Sequence, residues 1–81
     1  MRILSPDIRV AVVFGPGTKI KPVWFDLNRR QHTIRQITNC WQDKKGETAF
    51  MHFLVTDESA LYELVYNMAA ASWRLEQMES L

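Results

Sequence analysis

Runs of alternating apolar and polar residues, separated by short turn-forming segments, follow one another along most of the chain. Alternation of this kind is typical of β-strands that bury one face, and the many Val, Ile, Phe and Trp residues also favour strands. Gly, Pro and Asn in the intervening segments favour tight turns. The pattern predicts strands in residues 7–14, 19–27, 32–41 and 48–57, and turns at 15–17, 28–31 and 42–47.

Two of these predicted strands carry irregularities. Ile34 and Ile37 are three residues apart, which breaks the period of two, and a β-bulge near Arg35–Gln36 would return both to one face. Pro22 cannot donate a backbone hydrogen bond, so it belongs at a sheet edge, a strand start or a bulge. Strict alternation in this strand would put Val23, Phe25 and Leu27 on one face and Ile20, Pro22, Trp24 and Asp26 on the other.

Residues 60–78 fit two structures. Apolar residues recur there at steps of three and four, and the Ala triplet has a high helix propensity. Taken alone, these features favour an α-helix at about residues 57–80. The same stretch also fits a strand at Leu61–Tyr66, a turn at Asn67–Ser72 and a second strand at Trp73–Met78. The first structure would make the protein α+β, and the second would make it all-β.

A resemblance favours the strands. The segments KPVWFDLNRRQHTIRQITNCW and YELVYNMAAASWRLEQM resemble a family of short bacterial all-β proteins of unassigned function. The pattern is also similar to the C-terminal tail domain of DNA-repair proteins related to Y-family polymerases. The resemblance covers residues 19–78 and departs from the family at the turns, where Ala69–Ala71 replaces a Gly-containing turn. The matching residues are Ile34, Ile37, Trp41, Tyr62, Leu64, Tyr66, Trp73, Leu75 and Glu76.

With that resemblance, the sequence predicts an all-β fold formed by one small domain over residues 1–81. Six antiparallel strands would follow one another as a meander, and a sheet this small would twist strongly or curl into a partly closed barrel. The expected core consists of Phe25, Ile34, Ile37, Trp41, Tyr62, Leu64, Tyr66, Trp73 and Leu75.

Charge is distributed unevenly along the chain. Residues 19–45 hold seven basic and two acidic residues, whereas residues 46–81 hold one basic and six acidic residues. Basic residues interleaved with aromatic residues are typical of proteins that bind single-stranded nucleic acid. One hypothesis is therefore an accessory module that binds nucleic-acid phosphates, with Trp24 as the stacking ring and the contacts made by Arg29, Arg30, Arg35, Lys44 and Lys45.

The alternative hypothesis is a protein-interaction or homodimerisation module with no role in nucleic-acid binding. Residues 48–57 carry apolar side chains on both faces of the predicted strand, with Phe50 and Leu54 on one face and Met51, Phe53 and Val55 on the other. A small monomer should not expose a large apolar patch, so the second face would be covered by a partner or by another copy of the chain.

Other functional classes find little support. No catalytic motif is present, so no enzymatic activity and no cofactor are expected. His32, Cys40 and His52 lack the spacing of a metal site, and a lone cysteine forms no intrachain disulfide, which fits a reducing compartment. No segment has the length of a membrane span or the composition of a leader, so a cytoplasmic location without membrane attachment is expected.

Overall fold

The computed structural model describes residues 5–17 and 19–81, with side chains from residue 8 onward. The described residues form strands and turns with no helix, which confirms the all-β prediction. The strands are β1 (Ser5–Ile8), β2 (Val10–Phe14), β3 (Ile20–Leu27), β4 (Arg30–Thr33), β5 (Gln36–Lys45), β6 (Thr48–Thr56), β7 (Ala60–Asn67) and β8 (Ser72–Ser80).

These strands form two antiparallel sheets rather than one. The large sheet has the order β1-β8-β7-β6-β5, and the small sheet has the order β2-β3-β4. The predicted meander is correct within β5 to β8 and within β2 to β4, but the single six-stranded sheet and the partly closed barrel are wrong, because the sheets remain separate and open.

The difference arises from two bends in the chain. Between β1 and β2 only Arg9 intervenes, and its carbonyl already accepts a hydrogen bond from the Asp26 amide of the small sheet at 2.9 Å. Between β4 and β5, the Ile34 amide donates to Val23 of the small sheet at 3.0 Å, whereas the next amide, of Arg35, donates to Thr56 of the large sheet at 2.7 Å. The predicted strands at 7–14 and 32–41 therefore each cross a corner between the sheets, and each forms two strands instead of one.

Residues 60–78 form the predicted hairpin, so the alternative helix at about 57–80 is wrong. The turn between β7 and β8 is stabilised by the Asn67 side chain, whose oxygen accepts hydrogen bonds from the Ala69 and Ala70 amides at 3.0 Å each. Ala71 takes a φ of 53°, in the left-handed region usually occupied by Gly. Pairing of β7 with strands on both sides overrides the helix propensity of the Ala triplet.

One core lies between the two sheets. Phe25 of the small sheet packs edge-on against Tyr62 of the large sheet, with ring centroids 4.9 Å apart. Ile34, Ile37 and Tyr66 are partly buried against this core. The buried members of the core are Phe25, Phe53, Val55, Ala60, Tyr62, Leu64, Trp73 and Leu75.

Trp41 does not belong to this core, contrary to the sequence-based expectation. A register irregularity between Ile37 and Asn39 inserts one extra residue into β5, so that Ile37 faces the core while Trp41 turns to the outer face of the large sheet. There it is 36% exposed and stacks on His52, with ring centroids 4.9 Å apart. The irregularity lies two residues beyond the predicted bulge at Arg35–Gln36.

A second register irregularity, in β3, changes which of its side chains face the core, compared with the strict alternation predicted from sequence. Pro22 is opposite Val12 and Trp24 is opposite Ala11, so Val23 is an additional residue between them. Pro22 consequently shares the buried side with Phe25 although the two are three residues apart, and Trp24 lies on the outer face. Pro22 thus occupies a bulge, one of its expected positions.

Candidate nucleic-acid interface

The charge asymmetry of the sequence corresponds to the two sheets. Residues 9–35, which contain the small sheet, hold six basic residues and one acidic residue, a balance of +5. Residues 36–81, which contain β5 to β8, hold three basic and seven acidic residues, a balance of −4. The molecule therefore has a basic layer and an acidic layer, although its net charge is only +1.

The basic residues of the small sheet cluster at the two ends of β3. The turn between β3 and β4 consists of Asn28 and Arg29, with φ angles of 53° and 64°, which is typical of a two-residue hairpin turn and lies within the turn predicted at 28–31. Arg29 and Arg30 are exposed there, and Lys19 and Lys21 are exposed at the other end. None of these four has an ion-pair partner among the residues that the structure describes.

Beside Arg30, an open cleft of about 560 Å³ lies between β4 and the turn that joins β6 to β7. Arg35 enters this cleft from the corner between the sheets, and its Nη1 lies 3.1 Å from Oε1 of Glu58. Both side chains of this ion pair are mostly exposed, at 63% and 76%, so the pair is weak and can exchange for another anion. The cleft is lined by Arg30, Gln31, His32, Thr33, Arg35, Asp57, Glu58 and Ser59.

A second open cleft, of about 390 Å³, adjoins the corner between β4 and β5. Arg35 lines this cleft as well, together with Lys21, while Pro22, Ile34 and Ile37 supply apolar surface. Among the described residues, no acidic side chain contributes to its lining. Arg35 therefore lines both clefts, with Arg30 in the first and Lys21 in the second, and the first cleft also contains the carboxylates of Asp57 and Glu58.

The wall of the first cleft contains a hydrogen-bonded group formed by His32, Asp57 and Tyr62. Oδ2 of Asp57 accepts hydrogen bonds from the Tyr62 hydroxyl at 2.8 Å and from Nδ1 of His32 at 3.1 Å. Oδ1 accepts from the amides of Ser59 and Ala60, both at 2.8 Å. The His32 ring also stacks on Phe25, with centroids 5.1 Å apart. The group thus joins β4 of the small sheet to the large sheet.

Electrostatics keep Asp57 ionised. Burial acts to raise the pKa of Asp57, but the hydrogen bonds from Ser59, Tyr62, His32 and Ala60 outweigh it and hold that pKa well below its usual range. Burial, with the neighbouring Asp57 charge, raises the pKa of Tyr62 to about 12. The Ser59 hydroxyl also donates a hydrogen bond to Oδ1 of Asp57 at 3.2 Å. Sequence reasoning missed this group because its members are up to 30 residues apart.

The structure separates the residues predicted to bind nucleic acid. Arg29 and Arg30 lie at the turn between β3 and β4, and Arg35 lies at the corner after β4, where it shares the first cleft with Arg30. Lys44 and Lys45 lie on the large sheet, at the end of β5, opposite Ala49 and Thr48. The two lysines line neither cleft.

Trp24, the predicted stacking ring, is partly buried on the outer face of the small sheet. The Arg9 guanidinium lies over its ring, 5.6 Å from the centroid. Nε of Arg9 also donates a hydrogen bond to Asp26 at 2.8 Å, although the Arg9 side chain is 77% exposed. The Arg9 guanidinium thus covers one face of the Trp24 ring.

The histidines and the cysteine considered for metal binding do not share partners. His52 lies on the outer face of the large sheet, with Nδ1 2.8 Å from Oε2 of Glu63, whereas His32 contacts Asp57. Cys40 is on the edge strand β5, and partial burial raises the pKa of its thiol. Among the described residues, no group of three or more His, Cys, Asp or Glu side chains could hold a metal ion.

No family model, curated protein or solved structure matches this chain, so the resemblance noted from sequence stays a prediction. The part of the chain that the structure describes also contains no helix long and apolar enough to cross a membrane.

Proposed function

We propose that this chain is a non-enzymatic module that binds single-stranded nucleic acid through the basic small sheet. The observation that carries the proposal is the separation of charge between the sheets, with +5 on residues 9–35. Lys and Arg side chains without local partners can neutralise phosphates and release counterions, which drives binding without sequence preference. The resemblance to a tail domain of DNA-repair proteins agrees with this function.

The dimensions of the small sheet suit a short stretch of nucleic acid. β3 has eight residues and is therefore about 25 Å long at ~3.3 Å per residue. Lys19 and Lys21 at one end, and Arg29 and Arg30 at the other, are spaced to contact phosphates several nucleotides apart. Arg35 lines both clefts and can exchange Glu58 for a phosphate.

The test compares two double variants that remove the same charge from different sheets. Arg29→Gln with Arg30→Gln should weaken binding of a fluorescent oligothymidine on the order of tenfold at ~50 mM salt, because two phosphate contacts are lost. The slope of log affinity against log salt should become shallower by about 1.4, at −0.7 per contact. Fluorescence anisotropy at several salt concentrations measures both quantities.

Lys44→Gln with Lys45→Gln is the matched control. These lysines are exposed on the acidic layer, so this variant should bind almost as tightly as the unmutated chain. Equal weakening by both double variants would mean that only net charge matters. Absence of binding by the unmutated chain at ~50 mM salt would contradict the proposal.

A second candidate function, self-association or protein binding, is supported by the outer face of the large sheet. Trp41 is 36% exposed on that face, and Phe50 and Leu54 are partly exposed beside it. If the unmutated chain binds no oligonucleotide and sedimentation shows a dimer, this function becomes the better explanation.

A further inference from the structure

Strand β2 is an edge of the small sheet with no feature that blocks further pairing. Among the described residues it pairs with β3 alone, so its other side is free. Its five residues, VAVVF, are all apolar and include no proline. The last two, Val13 and Phe14, are 53% and 70% exposed. An exposed apolar edge of this kind is a place where another strand can add to a sheet.

The other edge strands in the described part of the chain are protected. Short length, charged side chains and proline all hinder pairing at a sheet edge. β4 has four polar residues beginning with Arg30, and β1 has four residues that include Pro6, which has no amide. β5 is longer, but the side chains of Asn39 and Asp43 accept hydrogen bonds from two of its amides. β2 is therefore the edge most open to an added strand.

The register shows which backbone groups of β2 face its free side. The Gly15 amide donates to the Lys19 carbonyl at 2.9 Å, so it points across the hairpin toward the chain of β3. Backbone amides alternate in direction along a strand, so the amides of Phe14 and Val12 point away from β3. Val12 is also opposite Pro22, which has no amide to pair with it. Val12 and Phe14 thus present backbone donors and acceptors at the free edge.

We infer that β2 pairs antiparallel with β2 of a second copy of this chain, with Val13 opposite its own counterpart. In this register, Val12 of each copy exchanges backbone hydrogen bonds with Phe14 of the other copy. The two Val13 side chains meet in a non-hydrogen-bonded pair, where Cα atoms are about 4.5 Å apart. Both exposed apolar side chains of β2 are then covered, because Phe14 packs beside Val12 of the other copy. The inference does not rest on the proposed function.

The charges of the small sheet permit this pairing. Lys21 is opposite Val13 on the neighbouring strand, so the two copies of Lys21 are three strand spacings apart, roughly 14 Å. That separation exceeds the Debye length of ~8 Å at physiological salt. Arg9, the residue before β2, already pairs with Asp26. Because one short strand buries less than the ~1,200 Å² of a stable complex, the dimer should be weak and should dissociate on dilution.

Sedimentation equilibrium of the full chain from micromolar to millimolar concentration measures the association. Val13→Lys places two like charges directly opposite each other and should weaken the dimer at least about tenfold. Leu81→Lys is the matched control, because it adds the same charge at a 78% exposed apolar residue after β8. It should associate like the unmutated chain. Both replaced side chains are exposed, so thermal unfolding of both variants should match that of the unmutated chain.

Cysteine variants test the register itself. They are made with Cys40→Ser, since the exposed Cys40 thiol could otherwise react. Val13→Cys should form a disulfide between copies under mild oxidation, because a Cα separation of about 4.5 Å lies within the disulfide range. Phe14→Cys should not, because its counterpart lies two residues further along the paired strands, beyond the ~7 Å limit.

Three results would overturn the inference. The unmutated chain could remain a single copy at millimolar concentration. Val13→Lys could associate as strongly as Leu81→Lys, which would place the contact on another surface. Phe14→Cys could cross-link as efficiently as Val13→Cys, which would contradict the register. None of these results decides whether the chain binds oligonucleotides, since added salt should strengthen the dimer by screening its like charges but weaken nucleic-acid binding.

Discussion

Asp57 is the residue that links the most parts of the molecule. Its two carboxylate oxygens accept hydrogen bonds from the turn after β6, from Tyr62 of the large sheet and from His32 of the small sheet. Hydrogen bonds to an ionised group contribute about 1.5–3 kcal/mol each, more than bonds between neutral groups. The carboxylate therefore fixes the turn and the contact between the sheets together.

Asp57→Asn should destabilise the folded protein by about 2 kcal/mol at pH 7, because an amide accepts fewer of these bonds. The folded-state pKa of Asp57 lies below its ordinary value of 3.8, so its contribution is present above that pH and is lost as the pH falls further. Urea unfolding should show a large difference from the unmutated protein at pH 7 and a smaller one at ~pH 3. Glu58→Gln, which alters an exposed neighbour, should have little effect, and an equal loss there would contradict this role.

The tryptophans illustrate which residue environments the sequence could predict. Trp73 is predicted to lie in the core and is 8% exposed. It lies near the start of β8, where the alternation of buried and exposed residues is regular. Trp41 was expected there too, but the additional residue in β5 reverses its face. The spacing of Ile34 and Ile37 predicted an additional residue in this strand but not its position, because that position depends on the pairing with β6.

At the scale of elements, β5 is an edge strand of the large sheet, and two of its own side chains cap backbone amides to which another strand could otherwise bind. The Asn39 side chain accepts a hydrogen bond from the Cys40 amide at 2.8 Å, and Asp43 accepts one from the Lys44 amide at 2.7 Å. Lys45 is opposite Thr48 across a two-residue turn, so the Lys45 amide faces β6. Because backbone amides alternate in direction along a strand, the amides of residues 40 and 44 face away from β6. These two amides are thus capped where another strand would bind.

Asn39→Thr together with Asp43→Thr should free both amides and strengthen self-association through β5 on the order of tenfold, because each new backbone hydrogen bond contributes about 0.5–1.5 kcal/mol. Sedimentation velocity over a concentration series measures the change. Gln42→Thr raises the strand propensity at the same edge without removing either cap, so it should leave association unchanged. A double variant that sediments like the unmutated chain would show that the caps do not limit pairing.

The sequence predicted the strands better than their arrangement. The hairpin at residues 60–78 followed from the positions of Tyr62, Tyr66 and Trp73 within the resemblance, and the structure confirms it. The corners at Arg9 and at residues 34–35 were missed, because the composition typical of strands continues on both sides of each corner. The break in alternation between Ile34 and Ile37 coincides with the second corner, but a β-bulge explains the same spacing, so the pattern alone does not reveal the corner.

At the scale of the whole molecule, the two sheets share one core although their ladders are separate. Phe25 is fully buried and contacts His32 within the small sheet and Tyr62 of the large sheet. An isolated three-stranded sheet would have few buried side chains of its own, and a domain of 81 residues has modest total stability. The basic layer is therefore expected to remain folded only while it is packed on the acidic layer.

Replacing Phe25 with Leu tests this dependence. The substitution should cost about 1–2 kcal/mol, a size that leaves the protein folded. If the sheets unfold as one unit, native-state hydrogen exchange should show the same loss of protection at the Asp26 amide of the small sheet and at the Leu64 amide of the large sheet. Loss confined to the Asp26 amide would mean that the small sheet opens independently, and the cations at the two ends of β3 would then be held in register only part of the time.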